Sequence, residues 1–375
     1  MIRSLCLALL TALVVPAPAQ AHKASDSYLA LAVTSTGVEG QWDIALRDLE
    51  QAVGLDGNGD GAIAWGELKA QHRAVASYAM PRLGLAADSA PCEKLVTEHL
   101  VDSHTDGAYA VLRFSAACAT APRQITVSYR LLADLDPLHR GLLRVVAGEN
   151  THTAVLGPDA PEFRLVVDEA PDLLSQFLGY LWQGVWHIWI GFDHILFLIS
   201  LLLPAVLCRR DGRWQAVATF REAVFEVLKV VSAFTLAHSI TLTLATLGIL
   251  SLPSRLVESS IAASVVLAAL NNVCPLVDRK LWLVAFGFGL IHGLGFASAL
   301  EELGLPRHAL AVSLLAFNLG VEIGQLAIVA LFLPLAFLLR ETVLYPRVIV
   351  GTGSAAIAAI AGVWLLERAL DLRLL

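Results

Sequence analysis

His187-Ile-Trp-Ile-Gly-Phe-Asp193-His194 sets two imidazoles and a carboxylate inside an otherwise apolar run, just after Tyr180, Trp182 and Trp186. Imidazole and carboxylate held close together are ligands of a divalent transition metal. In a bilayer an ionisable side chain costs roughly 2.5 kcal/mol or more at the centre of a helix, so its presence needs a compensating interaction. On a continuous helix the seven-residue step puts both imidazoles on one face, with Asp193 about 100° away. More polar groups interrupt the apolar stretches that follow. They are His238 in Phe234-Thr-Leu-Ala-His238-Ser239, Glu258, Asn271, Asn272, and His292 in Phe288-Gly-Leu-Ile-His292-Gly293. Asn318, Glu322 and Gln325 then follow at i, i+4, i+7 on one helix face.

A lone His, Ser or Asn in a membrane helix often only hydrogen-bonds a neighbouring helix, and for Ser239, Ser259, Asn271 and Asn272 that reading stands level with a functional one. Together, His187, Asp193, His194, His238, His292 and Glu322 point instead to a shared polar site. The expected intramembrane metal residues are therefore His187, Asp193, His194, His238, Glu258, His292, Asn318 and Glu322, with His187 at the rim as an outer ligand. Phe-x-Leu-x-His occurs at 234–238 and at 288–292, and a Val-Glu pair follows each copy, at 257–258 and 321–322. This reads as a parallel internal repeat, with unequal spacing between the copies.

The elements that must position these residues are membrane helices. The chain has 375 residues, 57% of them hydrophobic, and a mean hydropathy of +0.67, too apolar for a soluble protein. A formal net charge of -7 carries no nucleic-acid signal. Six apolar stretches, 178–206, 226–250, 256–276, 281–303, 309–338 and 345–367, are each long enough to cross a bilayer. Arg209, Arg210, Arg213 and Arg221 follow the first, Arg279 and Lys280 the third, Arg340 and Arg347 the fifth. The positive-inside rule makes these loops cytoplasmic and both ends of the mature chain external. The segment 172–182 is expected to begin as an interfacial helix.

Residues 1–21 read as a secretory signal: Arg3, an apolar core over 5–15, and Ala19-Gln20-Ala21 as the cleavage site. Cleavage would leave His22 first, where an amine and its own imidazole can chelate copper. Residues 22–170 are then a periplasmic domain. Alternating runs at 28–34, 38–46, 109–114, 125–131, 142–146 and 163–167, separated by turn residues, predict a small β-sandwich. Cys92 and Cys118 are expected to pair in that oxidising compartment, leaving Cys208 and Cys274 as free thiols. One insertion, residues 56–67, has the EF-hand pattern. Asp56, Asn58 and Asp60 stand at its first, third and fifth positions, Gly61 at the sharp turn, Ala62 at the backbone-carbonyl position and Glu67 at the bidentate position. Flanking helices at 46–55 and 67–80 and bound calcium are expected. The fold class is thus an α-helical polytopic membrane bundle of six spans over 171–375, preceded by a small exported β-sandwich with an inserted EF-hand loop.

His-x5-Asp-His in the first membrane helix, His292-Gly293 in a later Gly-rich helix and a signal-bearing exported start together resemble the HupE/UreJ family. The closer likeness is to the branch with a periplasmic domain before the membrane part. The resemblance implies a nickel or cobalt permease of the bacterial inner membrane, with roles for His187, Asp193, His194 and His292. The family's second motif, Phe-His-Gly-x-Ala/Val-His-Gly-x-Glu, is altered here: Phe288 replaces its first His and Gly295 its Glu.

Three functions follow. The first is a permease for nickel, cobalt or a related divalent ion. The second is an intramembrane zinc hydrolase acting on a lipid or lipid-anchored substrate, with Glu322 or Asp193 as general base; neither HExxH nor GxSxG supports it. The third is a sensor or assembly protein whose calcium-bearing domain recognises a periplasmic protein. The expected partners are the metal ion, the lipid bilayer and such a protein.

Overall fold

The computed structural model describes residues 25–104, 107–148, 150–170, 172–210, 213–277, 280–295 and 307–370. The expected signal peptide, His22 and residues 296–303 of the fourth expected span lie outside them. The chain divides into a β-rich N-terminal unit and a helical C-terminal unit.

In the β-rich unit the strands are β1 (Asp26–Thr34), β2 (Gly37–Ala45), β3 (Leu83–Ala87), β4 (Ala90–Pro91), β5 (Glu93–His104), β6 (Gly107–Ala117), β7 (Gln124–Tyr129), β8 (Arg140–Ala147), β9 (Asn150–Leu156) and β10 (Glu162–Val166). They form a six-stranded sheet in the order β5-β6-β2-β1-β8-β9 and a four-stranded sheet in the order β10-β7-β3-β4. Side chains alternate in and out along each strand. The inward set of one sheet, including Trp42, Ile44, Leu112 and Leu143, shares a core with Leu83, Ile125 and Val127 of the other. A disulfide joins Cys92 to Cys118, while Cys208 and Cys274 are free.

A directional polar chain runs through this core. Trp42 Nε1–H donates to Ser27 Oγ at 3.2 Å, and Ser27 Oγ lies 2.6 Å from Tyr129 Oη. Tyr129 Oη lies 2.5 Å from His139 Nε2, and His139 Nδ1 lies 2.5 Å from Ser25 Oγ. Ser25 donates to Asp48 at 2.8 Å. Because the Ser25 proton is committed to Asp48, Ser25 accepts from His139 Nδ1–H, and Nε2 accepts from Tyr129. Every link thus has a donor and an acceptor, which makes the burial of these polar groups tolerable.

Between β2 and β3 lie α1 (Leu46–Val53), α2 (Trp65–Ala70) and α3 (His72–Ala79). The second expected flank is therefore divided, at Gln71, into two short helices. In the loop between α1 and α2, Asp56 accepts from the amides of Gly59 at 2.7 Å and Gly61 at 2.8 Å. Glu67 reaches back across the loop to the amides of Gly57 at 3.0 Å and Ala64 at 2.9 Å. Backbone amides, Gly61 foremost, hold the Asp56 carboxyl below the usual carboxylate range.

The helical unit comprises α4 (Leu173–Ile190), α5 (Phe192–Leu202), α6 (Phe220–Thr246), α7 (Ser254–Val273), α8 (Leu281–His292), α9 (Arg307–Leu339) and α10 (Gly351–Leu370). A π-turn over Tyr345–Val350 leads into α10. Four helical segments among the described residues are long and apolar enough to cross a membrane: Phe220–Thr246, Ser254–Val273, Ala309–Leu339 and Tyr345–Leu370. Two expectations change. The first span is not one straight helix: α4 and α5 meet at Gly191 with a 71° bend. The fourth stretch is helical only to His292 before the chain turns at Gly293–Gly295.

Phe225, Leu236, Leu267, Leu315 and Leu331 are all more than half exposed on the outside of the helices. Such an apolar belt suits lipid and not water. The Arg-bearing connections meet one another: Arg209 Nη1 donates to Pro275 O at 3.4 Å and Arg340 Nε to Val217 O at 3.1 Å. A hairpin of β11 (Leu207–Arg210) and β12 (Arg213–Ala216), not anticipated from the sequence, forms the first of these connections.

Candidate metal centre

Four histidines from four helices converge. His187 lies near the end of α4, His194 near the start of α5, His238 within α6 and His292 at the end of α8. Ring centroids are 4.6 Å apart for His187–His194, 5.0 Å for His194–His292, and 6.4 Å for both His187–His238 and His194–His238. With metal–nitrogen bonds of about 2.0–2.1 Å, two rings sharing an ion stand roughly 4.5–6 Å apart, so these spacings are close to what one ion requires. His194, His238 and His292 are 6%, 0% and 1% exposed, which seals them from water.

The bend at Gly191 creates the His187–His194 contact. A Cβ on Gly191 would lie 2.7 Å from the His187 carbonyl oxygen and 2.8 Å from His194 Nδ1, so only glycine fits there. The two imidazoles meet across a corner, not along one helix face as the seven-residue step suggested. The close approach of α6 and α8 depends likewise on glycine. A Cβ on Gly289 would lie 2.5 Å from Phe234 O, and one on Gly293 would lie 2.4 Å from His238 O. The two Phe-x-Leu-x-His copies thus pack side by side.

Hydrogen bonds select which nitrogen two of the rings present. Asp193 Oδ1 accepts from His194 Nδ1 at 2.9 Å and from the His194 amide at 2.8 Å. That leaves His194 Nε2 as the lone-pair nitrogen. Ser264 of α7 donates to Ile261 O at 2.6 Å, so it accepts from His292 Nε2–H at 2.9 Å. Here Nδ1 carries the lone pair. Among the described residues, His194 Nε2, His292 Nδ1 and both nitrogens of His238 are buried with no hydrogen-bond partner. Each such orphan costs about 1–3 kcal/mol, and a cation bound among them would satisfy the lone-pair nitrogens.

Close to the histidines, about one helical turn away on each of α5, α6 and α8, is a phenylalanine. Phe197 lies 5.3 Å from Phe234 and 5.7 Å from Phe288, and both Phe197 and Phe234 contact His292, at 5.0 and 5.2 Å. Phe288 belongs to this apolar layer. The layer lies on the side of the histidines toward the Arg-bearing loops, because α5 runs from His194 through Phe197 to the first loop.

The other polar residues of the membrane stretches have these partners. Glu322 accepts from Ser232 at 3.0 Å, six residues or about 9 Å along α6 from His238, beyond the phenylalanine layer. Thr235 donates to Gln325 at 3.0 Å, and Asn272 donates to Ser200 O at 2.7 Å and Ser354 Oγ at 3.0 Å. Glu258 accepts from Ser254 at 2.5 Å near the start of α7, six residues before Ser264 and so on the opposite side of the histidines. Asn318 donates to Leu314 O of its own helix at 2.8 Å, its Oδ1 is buried with no hydrogen-bond partner among the described residues, and the adjacent Phe317 ring lies 5.4 Å from the His187 ring. Asn271 closes the end of α7, accepting from the amides of Leu276 at 3.0 Å and Val277 at 2.9 Å. Ser264 and Gly191 were missed in the sequence, where a serine and a glycine in an apolar run read as packing residues.

Fold and site define a polytopic membrane protein with a buried centre of four histidines and one aspartate. Residues 164–368 match the family described as HupE / UreJ protein, and the chain belongs to that family, which is related to nickel and cobalt transport. Comparison with curated proteins finds no match.

Proposed function

We propose that the protein is a permease for a divalent first-row transition-metal ion of the nickel or cobalt class. The ion is the substrate. His187, His194, His238 and His292 bind it, while Asp193 and Ser264 hold two of the rings in the required tautomers. The observation that carries this reading is the set of buried, unpartnered nitrogens on three helices at one level of an apolar bundle.

Transport also needs polar steps on both sides of the centre, and these support the permease over a hydrolase. Glu258 lies on the outer side. Glu322–Ser232, Thr235–Gln325 and Asn272 lie on the side of the Arg-rich loops. The phenylalanine layer between them serves as a hydrophobic constriction, and its opening admits the ion to the second tier. A zinc hydrolase needs a carboxylate base beside the metal-bound water. Glu322 is engaged beyond the phenylalanines and Asp193 is turned to His194, which weighs against that reading.

The protein acts in the bacterial inner membrane as six spans over 171–375, with residues 1–21 removed as a signal and the domain 22–170 in the periplasm. There the loop 56–67 binds calcium through Asp56, Asn58, Asp60, Ala62 and Glu67 as a structural clamp, and the domain offers a surface to a periplasmic protein partner. Glu67→Gln should lower calcium affinity by at least about tenfold; unchanged affinity would remove the EF-hand assignment.

The decisive experiment is uptake of nickel or cobalt into proteoliposomes. Accumulation that His194→Ala and His292→Ala abolish supports the permease. Metal bound in stoichiometric amount but never accumulated overturns it.

A further inference from the structure

We propose that Asp43, Asp102 and His104 of the β-rich unit form a second, exchangeable transition-metal site, separate from both the intramembrane centre and the loop 56–67. The site is built by strand register. On β2, Asp43 stands opposite Val111 of β6, and Val111 stands opposite Leu100 of β5. Period-two alternation carries the same face from Leu100 to Asp102 and His104. The neighbours of Asp43, Trp42 and Ile44, belong to the core. Three ligating side chains from two strands therefore share one face of a sheet.

Their donor atoms are near enough for small side-chain shifts to close a coordination shell. One ligand atom from each residue lies within 4.8 Å of the others. His104 Nε2 and Asp43 Oδ2 are 3.1 Å apart. Two ligands of one ion at bonds of about 2.0–2.2 Å stand roughly 3–3.5 Å apart, so a metal can take the place of the shared proton with little movement.

The surroundings hold the ligands in place. Gln41 Nε2 donates to both Asp43 oxygens, at 3.0 and 3.3 Å. The His104 ring stacks on Tyr28 at 5.1 Å with an interplanar angle of 8°, and meets Tyr109 at 4.2 Å. Side chains so oriented by outer neighbours are a regular feature of metal sites. Asp43 is only 5% exposed. His104 is the ion-pair partner of the buried Asp43 carboxylate at 3.1 Å, and a divalent ion held between them would neutralise Asp43 and Asp102 together. Asp102 is the solvent-exposed member and gives the ion its way in.

The donor set defines the ion. Imidazole with two carboxylates suits zinc, nickel, cobalt or manganese, whereas calcium and magnesium prefer oxygen alone. Three protein ligands leave coordination positions for water, so the ion is held and released instead of being locked in. The site does not depend on the intramembrane reading.

The test uses the full chain in detergent, stripped with a chelator and dialysed against nickel or zinc chloride. His194→Ala/His238→Ala removes the membrane centre, and one equivalent of metal should remain bound. On that background His104→Gln should abolish the remaining equivalent. Asp102→Asn, at an exposed position that does not threaten folding, should weaken it at least about tenfold. Millimolar calcium should leave it in place. Loss of all metal in the His194→Ala/His238→Ala protein, unchanged affinity in Asp102→Asn, or displacement by calcium would each overturn the proposal. If His104→Gln fails to fold, Asp102→Asn decides alone.

Discussion

His194 and His292 face each other with centroids 5.0 Å apart, and neighbouring hydrogen bonds hold them in opposite tautomers. Asp193 accepts a hydrogen bond from Nδ1–H of one ring and Ser264 accepts one from Nε2–H of the other. The lone pairs that remain belong to different nitrogens, Nε2 and Nδ1. Two neighbouring side chains thereby decide which nitrogens the two rings present.

This predicts a graded series. Asp193→Ala should weaken nickel or cobalt binding about 10- to 100-fold, as loss of an outer partner does elsewhere. Asp193→Asn, which keeps an acceptor oxygen, should lose less. Ser264→Ala should cost about tenfold, and Ser264→Thr should restore most of it. Competition against a coloured chelator reads all four. Equal affinity in Asp193→Ala and the unaltered protein would show that the tautomer of His194 is irrelevant.

Gly191→Ala should separate folding from binding. The added methyl meets the His187 carbonyl and the His194 ring, so the corner opens and the two imidazoles part. Far-UV circular dichroism should remain close to that of the unaltered chain, while metal affinity falls by at least an order of magnitude. A variant that binds normally would mean that the bend tolerates a side chain.

The phenylalanine layer should govern passage more than binding. Phe197→Ala removes a ring that touches Phe234, Phe288 and His292. Equilibrium affinity should change little, whereas the initial rate of proteoliposome uptake should rise. Truncating a buried Phe costs about 3–5 kcal/mol, so thermal stability should fall as well. An unchanged uptake rate would place the constriction elsewhere.

The β-rich unit should lose stability in acid through His139. Burial pushes the His139 imidazole down to about 3. In the unfolded chain it titrates near its ordinary value of about 6.5. Between those limits the unfolded state binds a proton that the folded state refuses, so stability falls as pH falls from about 6.5 towards 3. The slope is about 1.4 kcal/mol per pH unit. Above about pH 6.5 this contribution is constant. Fluorescence of Trp42 during urea unfolding at several pH values measures it, and His139→Phe should flatten the dependence.

Much of the molecule was legible in its residues. Apolar runs of membrane length announce the helical part, because the bilayer imposes that length. Period-two alternation announces the strands, and the expectation of export announces the Cys92–Cys118 bond. His194, His238 and His292 stood out because an ionisable group in hydrocarbon is expensive wherever it lies. These are local properties, set by each residue and its neighbours in the chain.

Tertiary structure alone decided which polar residues meet. Glu322 has the same local credentials as His238, yet helix stagger sets it almost two turns away beside Ser232. Asp193 sits beside His194 in the chain, and the fold sets its Oδ1 against the Nδ1 of that ring. Ser264, Asp43, Asp102 and His104 have no unusual sequence context and become notable only through the residues that packing and strand register bring to them. Helix crossing, axial offset and strand pairing are relations between distant segments, and local periodicity does not encode them. The cost of ionisable groups in apolar runs therefore called for a polar centre from the residues alone, and the fold decided which of them meet there.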